Sequence, residues 1–191
     1  MRPPRRQAVA AAAPHQVRLI GGQFRRSKLP VADRPGLRPT PDRVRETLFN
    51  WLGQSLEGWR CLDAFAGSGA LGLEAASRGA LEVVMVERDA GALRALEENL
   101  RLLGPAPVRP IRVDALEFLR SDAGLYDVVF LDPPYAMGEQ ARLLEQVRLR
   151  LAPRALVYVE APHAAQPPAG WEIYRSARAG VVHYQLLRAV E

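Results

Sequence analysis

A single cysteine, Cys61, and three scattered histidines are all the soft ligands this chain has. One cysteine excludes an internal disulfide, and its place in an apolar run marks it as a buried core thiol. His15, His163 and His183 lack any ligand spacing, so no metal is expected. No apolar run approaches the roughly 20 residues that a membrane-spanning helix needs. Arg2, Arg5 and Arg6 followed by Ala8 to Ala13 only faintly imitate a signal peptide, because the weakly apolar stretch is too short. A disordered basic tail over residues 1–16 and a cytoplasmic location are the expectation. No internal repeat or low-complexity array is visible.

Acidic charge is scarce in one part of the chain. The 191 residues carry 26 Lys and Arg against 21 Asp and Glu, a net of +5 with an isoelectric point near 10.0. Up to Arg60 the balance is twelve against four, a net of +8, and the remainder is −3. The basic surface therefore belongs to the front. A polyanion is the partner such asymmetry suits, and a merely solvated basic face is the alternative. With 48% hydrophobic residues the chain can bury one full core.

Val17 to Ile20, Gly21-Gly22 and Gln23 to Leu29 read as a short hairpin around a Gly-Gly turn. Its second arm offers Arg25, Arg26 and Lys28 to phosphates, beside Phe24, whose ring could stack on a base. Pro30 to Pro41 holds four prolines and can be neither helix nor central strand. Residues 17–41 are expected to form a hairpin and a loop suited to binding nucleic acid, and 42–191 a second unit. Asp42 can cap a helix with Val44, Leu48, Phe49 and Leu52 at helical spacing. Arg43 and Arg45 on its first turns oppose the helix dipole, which suggests phosphate contact.

From Arg60 the pattern becomes strand, glycine turn, helix, repeated. Strands are expected at Cys61–Phe65, Glu82–Val86, Val108–Val113, at the run ending in Leu131, and at Ala155–Glu160. Helices are expected at Ala70–Arg78, Ala90–Leu103, Ala115–Arg120 and about Gly138–Leu151. Such alternation means an α/β, Rossmann-like, mostly parallel, doubly wound sheet. Trp171–Ser176 and Val181–Leu187, with no helix between them, should add an antiparallel pair at its edge. Trp51, Trp59 and Trp171 read as packing residues.

Gly67-Ser68-Gly69-Ala70-Leu71-Gly72 matches G-x-G-x-x-G after a strand, and Glu87 follows 20 residues after Gly67. Taken alone this is a dinucleotide site, with Glu87 on a ribose. Asp63 at the mouth of the loop repels a pyrophosphate and attracts a cation. S-adenosylmethionine, with an ammonium, a sulfonium and no phosphate, suits it better. Its methionine end would lie at Asp63 and the loop, its ribose on Glu87 and its adenine near Asp114. Val128-Val129-Phe130-Leu131 then runs into Asp132-Pro133-Pro134-Tyr135. Two prolines stop a buried strand where ligands of open α/β sheets bind. Asp132 and a carbonyl can accept from an amine on a planar ring while Tyr135 stacks on that ring. A strand followed by a proline turn, with Asp132 only capping, is the other reading of these four residues.

Asp63-Ala64-Phe65-Ala66-Gly67-Ser68-Gly69 with Glu87, Asp114 and Asp132-Pro133-Pro134-Tyr135 resembles class I S-adenosylmethionine-dependent methyltransferases that act on amines. Arg18-Leu19-Ile20-Gly21-Gly22-Gln23-Phe24, Gly36-Leu37-Arg38-Pro39-Thr40 and Asp42 to Leu52 resemble, more closely, the RsmD family. That resemblance spans about Val17 to Leu187. It implies methylation of the exocyclic N2 of one guanine in bacterial 16S rRNA within an assembling 30S subunit, by a monomer, leaving S-adenosylhomocysteine and using no metal. It implies a seven-stranded sheet with one antiparallel edge strand. It implies Asp132, Pro133, Pro134 and Tyr135 as catalytic, and Asp63, Phe65, Ala66, Gly67, Ser68, Gly69, Glu87, Arg88, Asp114 and Ala115 as cofactor-binding. RNA would meet Arg25, Arg26, Lys28, Arg38, Arg43 and Arg45, with Thr40 and Asn50 ordering the loop around the cofactor. Where the family has Gly-Arg before the lysine of the arm, this chain has Arg26-Ser27. The rivals are a DNA or other RNA amino methyltransferase acting on adenine N6 or cytosine N4, a nicotinamide-dependent oxidoreductase, and a non-catalytic RNA-binding protein. A target-recognition segment, a proton relay and a degraded acid set, respectively, are what each would need and what the sequence lacks.

Overall fold

A computed structural model describes residues 16–31, 39–133, 140–161 and 166–190. The chain opens with β1 (Gln16–Arg18) and β2 (Lys28–Pro30), paired antiparallel with Val17 opposite Leu29. Then follow α1 (Asp42–Trp51), β3 (Arg60–Asp63), α2 (Ala70–Ser77), β4 (Glu82–Val86), α3 (Ala90–Leu103), β5 (Val108–Ile111), α4 (Ala115–Ser121) and β6 (Tyr126–Leu131). The chain closes with α5 (Gln140–Arg148), β7 (Leu151–Ala161), β8 (Trp171–Ala179) and β9 (Val182–Ala189). Seven strands form one sheet in the order β5-β4-β3-β6-β7-β9-β8, parallel from β5 to β7, with β9 antiparallel to both β7 and β8.

Strand alternation sorts side chains onto two faces. On one face Cys61, Val83, Met85, Val128, Phe130, Leu156 and Tyr158 pack with α1, α2 and α3. On the other Leu62, Val84, Val129, Leu131 and Val157 meet Phe118 and Leu119 of α4 and Leu143, Leu144 and Val147 of α5. Helix α2, ALGLEAAS, is buried along its whole length, which is why it shows no amphipathic stripe. A Cβ at Gly72 would lie 2.8 Å from the Met85 side chain, so α2 approaches β4 as only glycine allows. Among the described residues no helix is long and apolar enough to cross a membrane.

Several boundaries differ from the expected ones. The hairpin strands are three residues each, and the segment between them runs from Leu19 to Ser27 rather than through a two-residue turn. Its ends are tied by Leu19 N–H to Ser27 O and Arg26 N–H to Leu19 O, with Arg26 itself at φ 73°. Pro41, not Asp42, is the N-cap residue of α1. Strand β7 begins four residues before Ala155, carrying Pro153 and a left-handed Arg154 across a register shift against β6. β9, the last strand, inserts between β7 and β8.

Candidate functional site

The arm before α1 is held to the sheet layer by one buried acid. Glu74, in the middle of α2, has no exposed surface. Its Oε2 accepts from Ile20 N–H at 2.8 Å and its Oε1 from Gly21 N–H at 2.8 Å. It also receives Arg45 Nη1 at 3.4 Å and Arg78 Nε at 2.8 Å. One turn on, Ser77 O accepts from Gln23 N–H and Ser77 Oγ from Phe24 N–H. Gly22 sits at φ 73°, and a Cβ there would collide with the Ser77 carbonyl. The Gly-Gly pair is thus a docking contact, not a hairpin turn. Val17, Leu19, Leu29 and Val31 complete the attachment by entering the same core cluster as Phe49 and Phe130.

This attachment corrects the expected RNA set. Arg45 is 1% exposed and spends its guanidinium on the Thr40 and Arg18 carbonyls and on Asp42 and Glu74. It is an internal strut, unavailable to phosphate. Phe24 packs on the core rather than standing free as a stacking platform. Arg25, Arg26, Lys28 and Arg43 are exposed. Arg25 shares a polar crevice of about 520 Å³ with Arg78, Glu46, Asn50 and Gln54. That crevice adjoins the last residue of the α2 turn, so it lies about 12 Å along the helix from the glycine loop. Asn50 stands there, away from the loop, whereas Thr40 is buried with its carbonyl on Arg45. Arg38, Pro134 and Tyr135 lie outside the described residues.

At the carboxyl end of β3 the glycine loop takes the form its sequence suggests. Gly67 and Gly69 adopt φ 50° and 81°, and Gly69 N–H closes a turn on Ala66 O. Asp63 is 2% exposed beneath this loop, accepting from Gly72 N–H at 2.9 Å. Burial raises its carboxyl from 3.8 to about 7, against the Gly72 and Phe65 amides that lower it. Glu87, one residue past β4, accepts from Gly67 N–H at 2.9 Å and Asp89 N–H at 2.7 Å. Its lone pairs leave room for further donors. Asp114 caps α4 through Oδ1, toward Leu116 and Glu117 N–H, so capping is one of its tasks. Ser68 is half-buried beside Gly67, Ala66 and Ala115 are buried, Phe65 packs on the second core, and Arg88 is exposed.

Asp132 follows β6 directly. Alternation from Phe130 sets it on the face that also bears Asp63 of β3 and Glu160 of β7. The pairings Asp63 with Phe130 and Leu131 with Val159 bring the three acids to the carboxyl ends of three adjacent strands. Burial, then the charges of Glu160 and Asp63, lift the Asp132 carboxyl well above the usual carboxylate range. Glu160 is 8% exposed, raised by burial, and accepts from the Tyr158 hydroxyl at 2.6 Å. Tyr158 belongs to an aromatic row with Phe130 and Tyr184. Sequence reasoning missed Glu160 and Glu74. An acid ending an apolar strand beside Asp132, and an acid inside an otherwise apolar helix, were the signals.

Three acids at the mouth of a doubly wound sheet suit a cationic or amine ligand. The family described as conserved hypothetical protein 95 matches residues 17–188. Ribosomal RNA small subunit methyltransferase D of Escherichia coli K12 is 46% identical over 177 residues, 90% of this chain and 89% of that protein. The Haemophilus influenzae protein of the same name is 42% identical over 179 residues, 90% and 93% of the two. A solved structure of a putative methyltransferase from Escherichia coli superposes with a TM-score of 0.82 at 44% identity, covering 92% of this chain and 98% of that one. A putative methylase from Haemophilus influenzae gives 0.78 at 36% identity, covering 93% and 100%. The arm, the acid-lined strand ends and the matched length together make this chain a member of the RsmD family of methyltransferases.

Proposed function

We propose that the protein transfers a methyl group from S-adenosylmethionine to the exocyclic N2 amine of a guanine in 16S rRNA of the small ribosomal subunit. The single observation that carries this reading is the position of Asp132 between Asp63 and Glu160. The relatives' names supply the RNA and the subunit.

The residues at the loop fit the cofactor. The ionised form of the buried Asp63 carboxyl is favoured by the Gly72 and Phe65 amides against burial and the charge of Glu87, and an ammonium would add a cationic partner. Gly67 and Gly69 let a ligand approach the backbone, and Glu87 can accept from ribose hydroxyls. When bound, S-adenosylmethionine supplies an electrophilic methyl group.

The chain's own residues do the rest. An exocyclic amine is a poor nucleophile because its lone pair is delocalised into the ring. Asp132 and the Pro133 carbonyl, accepting from the amine, hold it so that the lone pair is free of the ring and directed toward the end of β3, where the cofactor's methyl group would lie. A carboxyl raised by burial is also a better proton acceptor, so Asp132 can take the proton that the alkylated nitrogen sheds. Pro134 and Tyr135 complete this element in the proposal, Tyr135 stacking on the base. Arg25, Arg26, Lys28 and Arg43 hold flanking phosphates, with Arg38 as a further candidate.

Labelled methyl transfer to small-subunit particles lacking their modifications, followed by nucleoside analysis, tests the reading. N2-methylguanosine at one site is expected. Asp132→Ala should abolish transfer and leave S-adenosylmethionine binding intact; methylated adenine or cytosine, or retained turnover in the variant, would overturn it.

A further inference from the structure

Building on the proposed reaction, we infer that Glu160 reads the target base, accepting the N1–H of guanine while Asp132 accepts from the N2 amine. Glu160 is then a specificity-determining residue.

The strand order carries the argument. β6 lies between β3, whose end bears Asp63 and the glycine loop, and β7, whose end bears Glu160. Adjacent strands are about 4.8 Å apart, so a planar base with its amine at Asp132 and the methyl donor over β3 extends its ring over β7. Leu131 pairs with Val159, which sets Glu160 level with Asp132 and on the same face. Glu160 is thus the side chain that the rest of the base edge meets.

Its hydrogen bonding leaves one position open. The Tyr158 hydroxyl donates to Oε1 at 2.6 Å, fixing the carboxylate's orientation and favouring its ionised, acceptor form against burial. Among the described residues Oε2 has no hydrogen-bond partner. Two neighbouring carboxylates with an open acceptor call for adjacent donors. Guanine presents N1–H beside N2–H on one edge. Adenine and cytosine present an amine beside a ring nitrogen lone pair, which a carboxylate repels. Asp132 and Pro133 alone would take any exocyclic amine; Glu160 makes the choice.

The test uses particles reconstituted with rRNA in which the methylated guanosine is replaced by 2-aminopurine ribonucleoside. This analogue keeps the 2-amino group, but its N1 is an acceptor. The wild type should prefer guanine by about 10- to 100-fold in kcat/KM. Glu160→Gln, whose amide can donate to N1, should lose activity on guanine and gain it on 2-aminopurine, closing most of that gap. The missing O6 of the analogue affects both enzymes alike. Equal losses on both substrates, or an unchanged ratio, would reduce Glu160 to a packing role and overturn the inference. Should Glu160→Gln fail to fold, the wild-type ratio decides, since absence of discrimination refutes the idea by itself. A wild type that methylates no guanine would instead refute the proposed function.

Discussion

Asp63→Asn should make the ligand-free protein more stable at pH 8 and useless as a cofactor binder. Asp63 is 2% exposed, and burial holds its proton up to about pH 7, whereas the unfolded chain releases it near 3.8. The neutral carboxyl's contribution is therefore complete below about pH 3.8, declines as pH rises, and is gone above about 7. Lifting a carboxyl from 3.8 to about 7 corresponds to roughly 4 kcal/mol against the ionised form, an upper value for the gain. Asparagine keeps an acceptor for the Gly72 amide and never ionises. In thermal melts the variant should match the wild type near pH 4 and exceed it at pH 8, by a Tm shift on the order of 10 °C. Glu160 cancels in the difference between the two proteins, whereas Asp132, which the Asp63 charge helps to raise, is relieved of that repulsion in the variant and adds to its gain at pH 8. A difference that does not change with pH, or a variant less stable at pH 8, would refute the account. Calorimetry supplies a second check: an ammonium at Asp63 lowers its pKa, so S-adenosylmethionine binding to the wild type should release a proton at pH 6, and the variant should show no binding heat.

Further outcomes follow from the other buried groups. Methyl transfer should rise with pH through the elevated ionisation of Asp132, since only the ionised carboxylate accepts a proton; a rate that does not rise with pH above the usual carboxylate range would remove it as the acceptor. Glu74→Ala strands Arg45 in the interior and should cost about 3–5 kcal/mol in a melt; a loss under about 1 kcal/mol would contradict the anchoring described. Replacing Arg25, Arg26 or Lys28 singly by Gln should lower the salt dependence of RNA binding by roughly one unit of slope each, read from titrations at several salt concentrations, and an unchanged slope would mark a merely solvated face.

The parallel core was readable because its rules are local. Glu82–Val86 and Ala90–Leu103 stand at the expected bounds, since a β-branched run and a 3.6-residue stripe each end at a polar residue or at Gly104-Pro105. The antiparallel pair at the edge was readable because no helix separates its strands, but not its order, since nothing local in Val182–Ala189 says that it pairs with β7 before β8. At the site, the glycine loop, Glu87 and Asp132 announced themselves by spacing. Glu74, Arg45 and Glu160 did not. A buried ion pair joins residues 29 positions apart, and sequence spacing carries no trace of such a meeting. Arg45 was read as a surface cation because helix periodicity cannot tell which polar side chain is turned inward to meet an acid on another helix.

The docking of the Gly21-Gly22 segment on α2 bears on whether the arm is portable. Its hydrogen bonds are with Glu74 and Ser77 of α2, and Arg78, the residue that ends that helix, lies against Gly21; the other end of α2 opens from the glycine loop. Grafting residues 17–31 onto a different Rossmann-type methyltransferase would therefore transplant charges without a seat. The recipient's first crossover helix would need a buried glutamate, a serine three residues later and an arginine after that, together with an inward arginine on the preceding helix. Arm and helix act as one unit, and either half alone would be a liability: an unpaired acid in the core, or a basic flap with nowhere to rest.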